Sequence, residues 1–252
     1  MRVRIFSTPL AASRALARFI ARSLAANSHL VLGLPTGRTP VPLYRELVAL
    51  RRRGLVDFSR ASTFNLDEFV GVGRNDPGSY RAFMQRHLFD RVNLAANQIH
   101  FLNGAARDLE NECARYERAI ARAGGIDLQI LGLGDNGHIG FNEPARALIA
   151  RTHVTKLSAA TRRANAALFG QRASAVPPRA LSMGMATILH ARRVVLLATG
   201  AAKARCVART VDGPLTTLVP ASFLQLHRDV EVWLDRAAAA RLTRTGRAPA
   251  PP

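Results

Sequence analysis

Four short stretches of this chain carry side chains suited to acid–base chemistry or to gripping an anion, and each follows an apolar run. Phe64-Asn-Leu-Asp-Glu-Phe sets Asp67 and Glu68 just past one such run. Paired acids there are often only polar caps, but with one pKa raised either could act as a general base. The stretch Ile126 to Pro144 passes from apolar to glycine-rich and delivers Asp135, Asn136, His138, Asn142 and Glu143. Glu143 is close enough in sequence to orient or polarise the His138 imidazole if the loop folds back, although a lone histidine is more often structural. Leu32-Gly-Leu-Pro-Thr-Gly-Arg-Thr-Pro brings Thr36, Gly37, Arg38 and Thr39 ahead of Pro40. Proline suits the first turn of a helix, whose unpaired amides could hold an anion; a plain strand-to-helix turn capped by Thr39 explains the same residues equally well. Lys203 follows Thr199-Gly200 in the first turn of another helix, where the dipole disfavours a cation unless a bound anion offsets it. A solvated lysine is the bland alternative.

The elements that must position these groups alternate in type. Strand-like runs are Val3–Phe6, Leu30–Leu34, Ser62–Leu66, Gln98–Leu102, Leu128–Leu133, Val194–Ala198 and Val230–Leu234. Helical patterns fall between them at Ala11–Leu24, Pro40–Arg52, Ser79–Phe89, Arg107–Ala123, Ala201–Val211 and Ala221–Gln225. Such alternation predicts an α/β fold, Rossmann-like, with a mostly parallel sheet in the middle layer of three and helices on both faces. Ligands of open α/β sheets bind beyond the carboxyl ends of the strands, which is where all four stretches lie. One α/β domain is expected over residues 1–240. Residues 162–178, polar and alanine-rich with Pro177-Pro178, read as an active-site flap or an ordinary surface excursion, and 241–252 as a disordered tail. Tyr80 and Trp233 read as packing, and His29, His87, His100, His190 and His227 as structural.

Several function classes are disfavoured. Gly132, Gly134 and Gly137 satisfy Gly-x-Gly-x-x-Gly, yet no helical period follows and no acid lies about 20 residues on to bind a ribose, so a dinucleotide site is not expected. The stretch at residue 36 lacks the Gly-Lys-Ser/Thr ending of a P-loop, and no Gly-x-Ser-x-Gly elbow supports a hydrolase triad. Neither His-x-x-x-His nor a cysteine set is present, so no metal is expected. The formal charge of +19 looks like a nucleic-acid signature, but only Lys156 and Lys203 among 36 basic residues are lysines and the arginines are scattered. Compositional bias explains this better than a selected patch, and no specific nucleic-acid partner is expected. Apolar residues make up 48% of the chain without a run of membrane length, so no membrane partner is expected. Cys113 and Cys206 lack metal or redox spacing, and no secretory segment is seen at the start; both features fit a cytoplasmic protein with reduced thiols.

The same motifs carry a resemblance. Gly33-Leu-Pro-Thr-Gly-Arg-Thr-Pro, Phe64-Asn-Leu-Asp-Glu-Phe, Gly134-Asp-Asn-Gly-His-Ile-Gly-Phe-Asn-Glu-Pro and Leu224-Gln-Leu-His resemble the isomerising glucosamine-6-phosphate deaminase family, in order and spacing, up to about Ala240. The sister 6-phosphogluconolactonases continue differently after the Gly-His pair. The resemblance implies a cofactor-free conversion of glucosamine 6-phosphate and water to fructose 6-phosphate and ammonia. It implies Asp67 as the base moving a proton between C2 and C1, and His138 as the group relaying the O1 proton during ring opening. Asn136 and Glu143 would hold and tune that histidine, while Thr36 to Thr39 and Lys203 would grip the phosphate. The partner is then a small amino-sugar phosphate; a homo-oligomer stays open. A related sugar-phosphate enzyme (a galactosamine-6-phosphate deaminase or a lactonase) and a non-catalytic sugar-phosphate sensor are the alternatives.

Three departures from the family pattern stand out. Asn136 takes a place where many members carry aspartate. Ala167 sits where the family usually has a phosphate-contacting flap arginine, and Arg38, in a place commonly given to a small residue, is the expected replacement. Arg146, His153 and Thr155 do not match the allosteric residues of regulated members, so activation by N-acetylglucosamine 6-phosphate is not expected.

Overall fold

The strands form where β-branched and leucine-rich runs can be covered on both faces, and the helices where apolar residues recur on one stripe. In the computed structural model, which describes residues 1–243, the order is β1 (Arg2–Phe6), α1 (Pro9–Ala26), β2 (Val31–Leu34), α2 (Val41–Arg52), β3 (Ser62–Asn65), β4 (Asp67–Phe69), α3 (Tyr80–His87), β5 (Ile99–His100), α4 (Leu109–Arg122) and β6 (Leu128–Gly132). There follow β7 (His153–Lys156), α5 (Ala159–Asn165), β8 (Arg179–Ser182), α6 (Met185–Leu189), β9 (Arg193–Ala198), α7 (Ala204–Val211) and β10 (Val230–Asp235). Helix α1 shows the logic. Ala12, Leu16, Ala17, Ile20 and Leu24 are buried at helical spacing, Thr8 caps the first turn by accepting from the Ala11 amide, and Pro9 enters where no amide is needed.

All seven expected strands join one parallel sheet, in the order β1-β10-β9-β6-β2-β3-β5. One apolar layer, with α1, α2 and α3, covers one face; a second, with α4, α6 and α7, covers the other. From β2 the chain builds outward through β3 to β5, then returns to place β6 on the other side of β2. The β2/β6 junction is therefore a topological switch point, and the loops leaving both strands lie where open α/β sheets bind ligands.

A second sheet, antiparallel and ordered β4-β8-β7, was not foreseen. Its strands are only three or four residues long, with no clean alternation to reveal them. Other boundaries also move. Pro40 is the residue before α2 rather than inside it, and no side chain, Thr39 included, caps that helix. The segment 201–211 splits into a 3-10 turn, Ala201–Lys203, and α7, with Lys203 at the joint. Residues 221–225 lie in a 3-10 helix, Pro220–Leu226. The expected tail begins too early: Thr243 donates to the Asp212 carboxylate through its amide and its hydroxyl, at 2.8 and 3.0 Å. The rest of that segment, 244–252, lies outside the described residues. No helix among the described residues is long and apolar enough to cross a membrane.

Candidate active site

The histidine loop begins where β6 ends. The Gly134 amide donates to the His138 carbonyl at 2.9 Å, closing a tight turn in which Gly137 takes φ +95°. The imidazole lies flat against Gly134; a Cβ there would come within 2.2 Å of the ring, so only glycine fits. Asn136 fixes the ring's orientation. Its Oδ1 accepts the His138 backbone amide at 3.2 Å and lies 2.7 Å from Nδ1. An atom that accepts from an N–H is the amide oxygen, so Nδ1 carries the proton and Nε2 keeps its lone pair. Burial lowers the His138 pKa; the Glu143 carboxylate pulls it back up and the Lys203 ammonium pushes it further down. A neutral imidazole with Nε2 ready to take a proton is the result.

Lys203 reaches this loop from the end of β9. Its side chain is largely buried, and Nζ donates to the Leu133 carbonyl at 2.6 Å and to the exposed Asp135 carboxylate. Glu143, half-buried, makes no hydrogen bond to the imidazole; its Oε1 accepts from the Ser158 amide at 3.3 Å, at the cap of α5. The expected pairing of Glu143 with His138 is thus electrostatic rather than a direct contact.

Asp67 opens β4 instead of sitting in a loop beyond β3. It is buried, and Oδ1 has no hydrogen-bond partner among the described residues. Burial, and then the neighbouring Glu68 charge, raise its pKa well above the usual carboxylate range. Glu68 differs: its carboxylate accepts from the amides of Phe69, Tyr80 and Arg81, each at 2.9 Å, tying β4 to the start of α3. Burial still pushes its pKa to about 7. Of the two acids open as a base, Asp67 has the oxygens to spare.

The small sheet joins the two halves. Asp67 pairs with Ser182 across β4 and β8, and Ser182 Oγ accepts from the Phe141 amide at 3.0 Å. Asn142 Nδ2 donates to the carbonyls of Ile139 and Met183, at 2.9 and 2.8 Å. The Asp67 Oδ2 lies 3.7 Å from the position of a Cβ on Gly140, itself at φ +56°. The histidine loop and the aspartate strand therefore share one anchor.

The third wall is the loop after β2. The Pro35 carbonyl accepts from the Tyr44 hydroxyl, and Gly37 takes φ +98°. Among the described residues, the amides of Thr36, Gly37, Arg38 and Thr39 donate to no backbone or side-chain acceptor. Four unbonded amides in succession at a strand's carboxyl end are the kind of donors an anion takes. Arg38 is exposed at the rim, with no carboxylate partner among the described residues. Ala167 is exposed; the segment 162–178, expected as a flap or a surface excursion, holds the end of α5 and 3-10 turns at Ala166–Phe169 and Ala173–Ala175.

Tyr80 is more than the packing residue expected. Its ring stacks on Phe141 with centroids 5.8 Å apart, and its hydroxyl donates to Asn165 Oδ1 on α5 at 2.8 Å. Nothing in a lone tyrosine after a capping serine marks this in the sequence; only the second sheet brings it to the site.

The sequence profile of the family described as glucosamine-6-phosphate isomerases/6-phosphogluconolactonase matches residues 8–233. The chain belongs to this family. Within the glucosamine-6-phosphate isomerase/6-phosphogluconolactonase family it is 45% identical over 228 residues to the glucosamine-6-phosphate deaminase of Thermoanaerobacter sp. (strain X514), covering 90% of each chain. It is 47% identical over 212 residues to the one from Clostridium botulinum (strain Kyoto / Type A2), covering 84% of this chain and 86% of that one. Among solved structures, a monomeric glucosamine-6-phosphate deaminase superposes with a TM-score of 0.92 at 41% identity, over 96% of this chain and 100% of that one. The 6-phosphogluconolactonase from Trypanosoma cruzi shares the fold, with a TM-score of 0.76 at 21% identity over 96% of this chain and 97% of that one.

Proposed function

We propose that the chain converts glucosamine 6-phosphate and water to fructose 6-phosphate and ammonia. The observation carrying this is the buried Asp67 carboxylate, with an unpartnered oxygen, anchored through Ser182 to the loop that presents His138. His138 Nε2 takes the proton from O1 of the closed sugar and returns it to the ring oxygen, which opens the ring to the aldehyde. Asp67 then removes the C2 proton and delivers it to C1 while a proton passes from the amine nitrogen to O1, turning the 2-amino aldehyde into a 2-imino alcohol; water adds at C2 and ammonia leaves, giving the ketose. Both steps need a base that is desolvated but not already spent on a hydrogen bond, and each contributes about 10²–10⁴-fold. The free amides from Thr36 to Thr39 hold the phosphate, with Lys203 supplying a positive charge once its contact with exposed Asp135 is exchanged for the dianion. That grip fixes C1 and C2 between the two bases. Asn136 in place of aspartate keeps the imidazole oriented without adding a charge beside it.

A coupled assay for ammonia and fructose 6-phosphate on the wild type and Asp67→Asn tests this reading. The expected result is turnover by the wild type and a loss of about 10³-fold or more in kcat for a folded variant. Comparable turnover by both would show that another group is the base.

A further inference from the structure

We infer that Tyr80 is a positioning residue that couples the seat of the flap to the strand bearing Asp67 and to the histidine loop. Its contacts run to all three. The phenol donates to Asn165 Oδ1 at the end of α5, while Asn165 Nδ2 is held by the Thr161 carbonyl at 2.9 Å. The Tyr80 amide donates to Glu68, next to Asp67. The ring is buried between Phe69, at 4.7 Å between centroids, and Phe141, at 5.8 Å.

A rigid ring held at its amide, its faces and its one hydroxyl transmits position well. Its backbone is fixed by the Glu68 carboxyl group, and its plane is fixed by Phe141, just ahead of Asn142 and Glu143 on the histidine loop. The bond to Asn165 holds the flap's first helix to this ring, in a segment that lacks an arginine at Ala167 to do so. Phe169, edge-on to Phe69 at 5.2 Å, adds an apolar contact, but apolar contact sets no register.

The kinetic half of this inference rests on the deaminase reading, so the test has a second arm independent of turnover. Tyr80→Phe keeps the ring and removes only the hydroxyl; Asn165→Ala removes its acceptor. Each variant is expected to raise KM for glucosamine 6-phosphate by about tenfold while kcat changes by less than about threefold. The double variant should match either single one, because both break the same bond. In limited trypsin digestion, cleavage after Arg163 and Arg172 on the flap should quicken by about fivefold in all three variants, at unchanged Tm within about 2 °C. If the wild type releases no ammonia but the flap cleavage follows this pattern, the latch stands and the deaminase reading fails. Unchanged flap cleavage in Tyr80→Phe, or effects of the two single variants that multiply in the double, would overturn the inference.

Discussion

The two proposed bases are set up in opposite ways. On the Asp67 side the carboxylate is buried, one oxygen has no partner, and a second acid sits beside it, so its pKa rises through desolvation. On the His138 side nearly every atom is hydrogen-bonded: Nδ1 to Asn136, the carbonyl to Gly134, with the Lys203 ammonium bonded to the same loop. One half makes its base reactive by withholding partners, the other makes it selective by fixing an orientation. A carboxylate has two equivalent oxygens and needs no tautomer chosen, whereas an imidazole does.

The comparison is broken most severely by removing the oriented group and then its support. His138→Gln is expected to lose about 10²–10⁴-fold in kcat, whereas Asn136→Ala, which keeps the ring but frees its tautomer, should lose roughly 10-fold to 100-fold. Equal losses in steady-state kinetics would mean that orientation is all the imidazole supplies. Next in size, Lys203→Met should raise KM for the phosphorylated sugar by about 10-fold to 100-fold, in line with one charge-assisted hydrogen bond, with a smaller effect on kcat. An unchanged KM would place the phosphate elsewhere.

The desolvated half is sharpened by pH. Because the folded pKa of Asp67 is raised, its carboxylate keeps its proton to higher pH, and kcat/KM should climb with pH through that raised value rather than near pH 4. Glu68→Gln removes a neighbouring negative charge and should shift this acid limb to lower pH. Stability supplies a second reading. Glu68 titrates near 7 when folded against 4.5 as its ordinary value, so the native state binds the extra proton between them and loses stability as pH rises through that window, by on the order of 3 kcal/mol. Thermal unfolding of the wild type should show that decline between pH 5 and 7.5 more steeply than Glu68→Gln, while parallel curves would rule it out. The smallest effect is expected at the rim: Arg38→Ala should raise KM by more than about threefold, roughly 0.6 kcal/mol, if Arg38 replaces the guanidinium missing at Ala167.

What could be read from the chain follows from how the information is encoded. The large sheet was legible because its strands are buried on both faces and appear as unbroken apolar runs such as Val194–Ala198, punctuated by glycine. The glycine loops were legible because backbone constraints leave a residue signature, as Gly134 under the imidazole does. The small sheet was not, since His153–Lys156 and Asp67–Phe69 are short and owe their pairing to long-range contacts with Arg179–Ser182. With it went the strand position of Asp67 and the part played by Tyr80, whose partner Asn165 lies 85 residues away. Nor could spacing reveal that Glu143 bonds to Ser158 instead of reaching the imidazole.

Strand β8 is flanked on both edges, with Ser182 opposite Asp67 on one side and opposite His153 on the other. A strand so placed behaves like the keyway of a lock: sliding it one residue turns the Ser182 hydroxyl to the opposite face and unhooks the histidine loop. Insertions within residues 179–182 should therefore abolish turnover far from any reacting atom, while extra residues around the exposed Arg53-Gly54 turn after α2 are absorbed harmlessly.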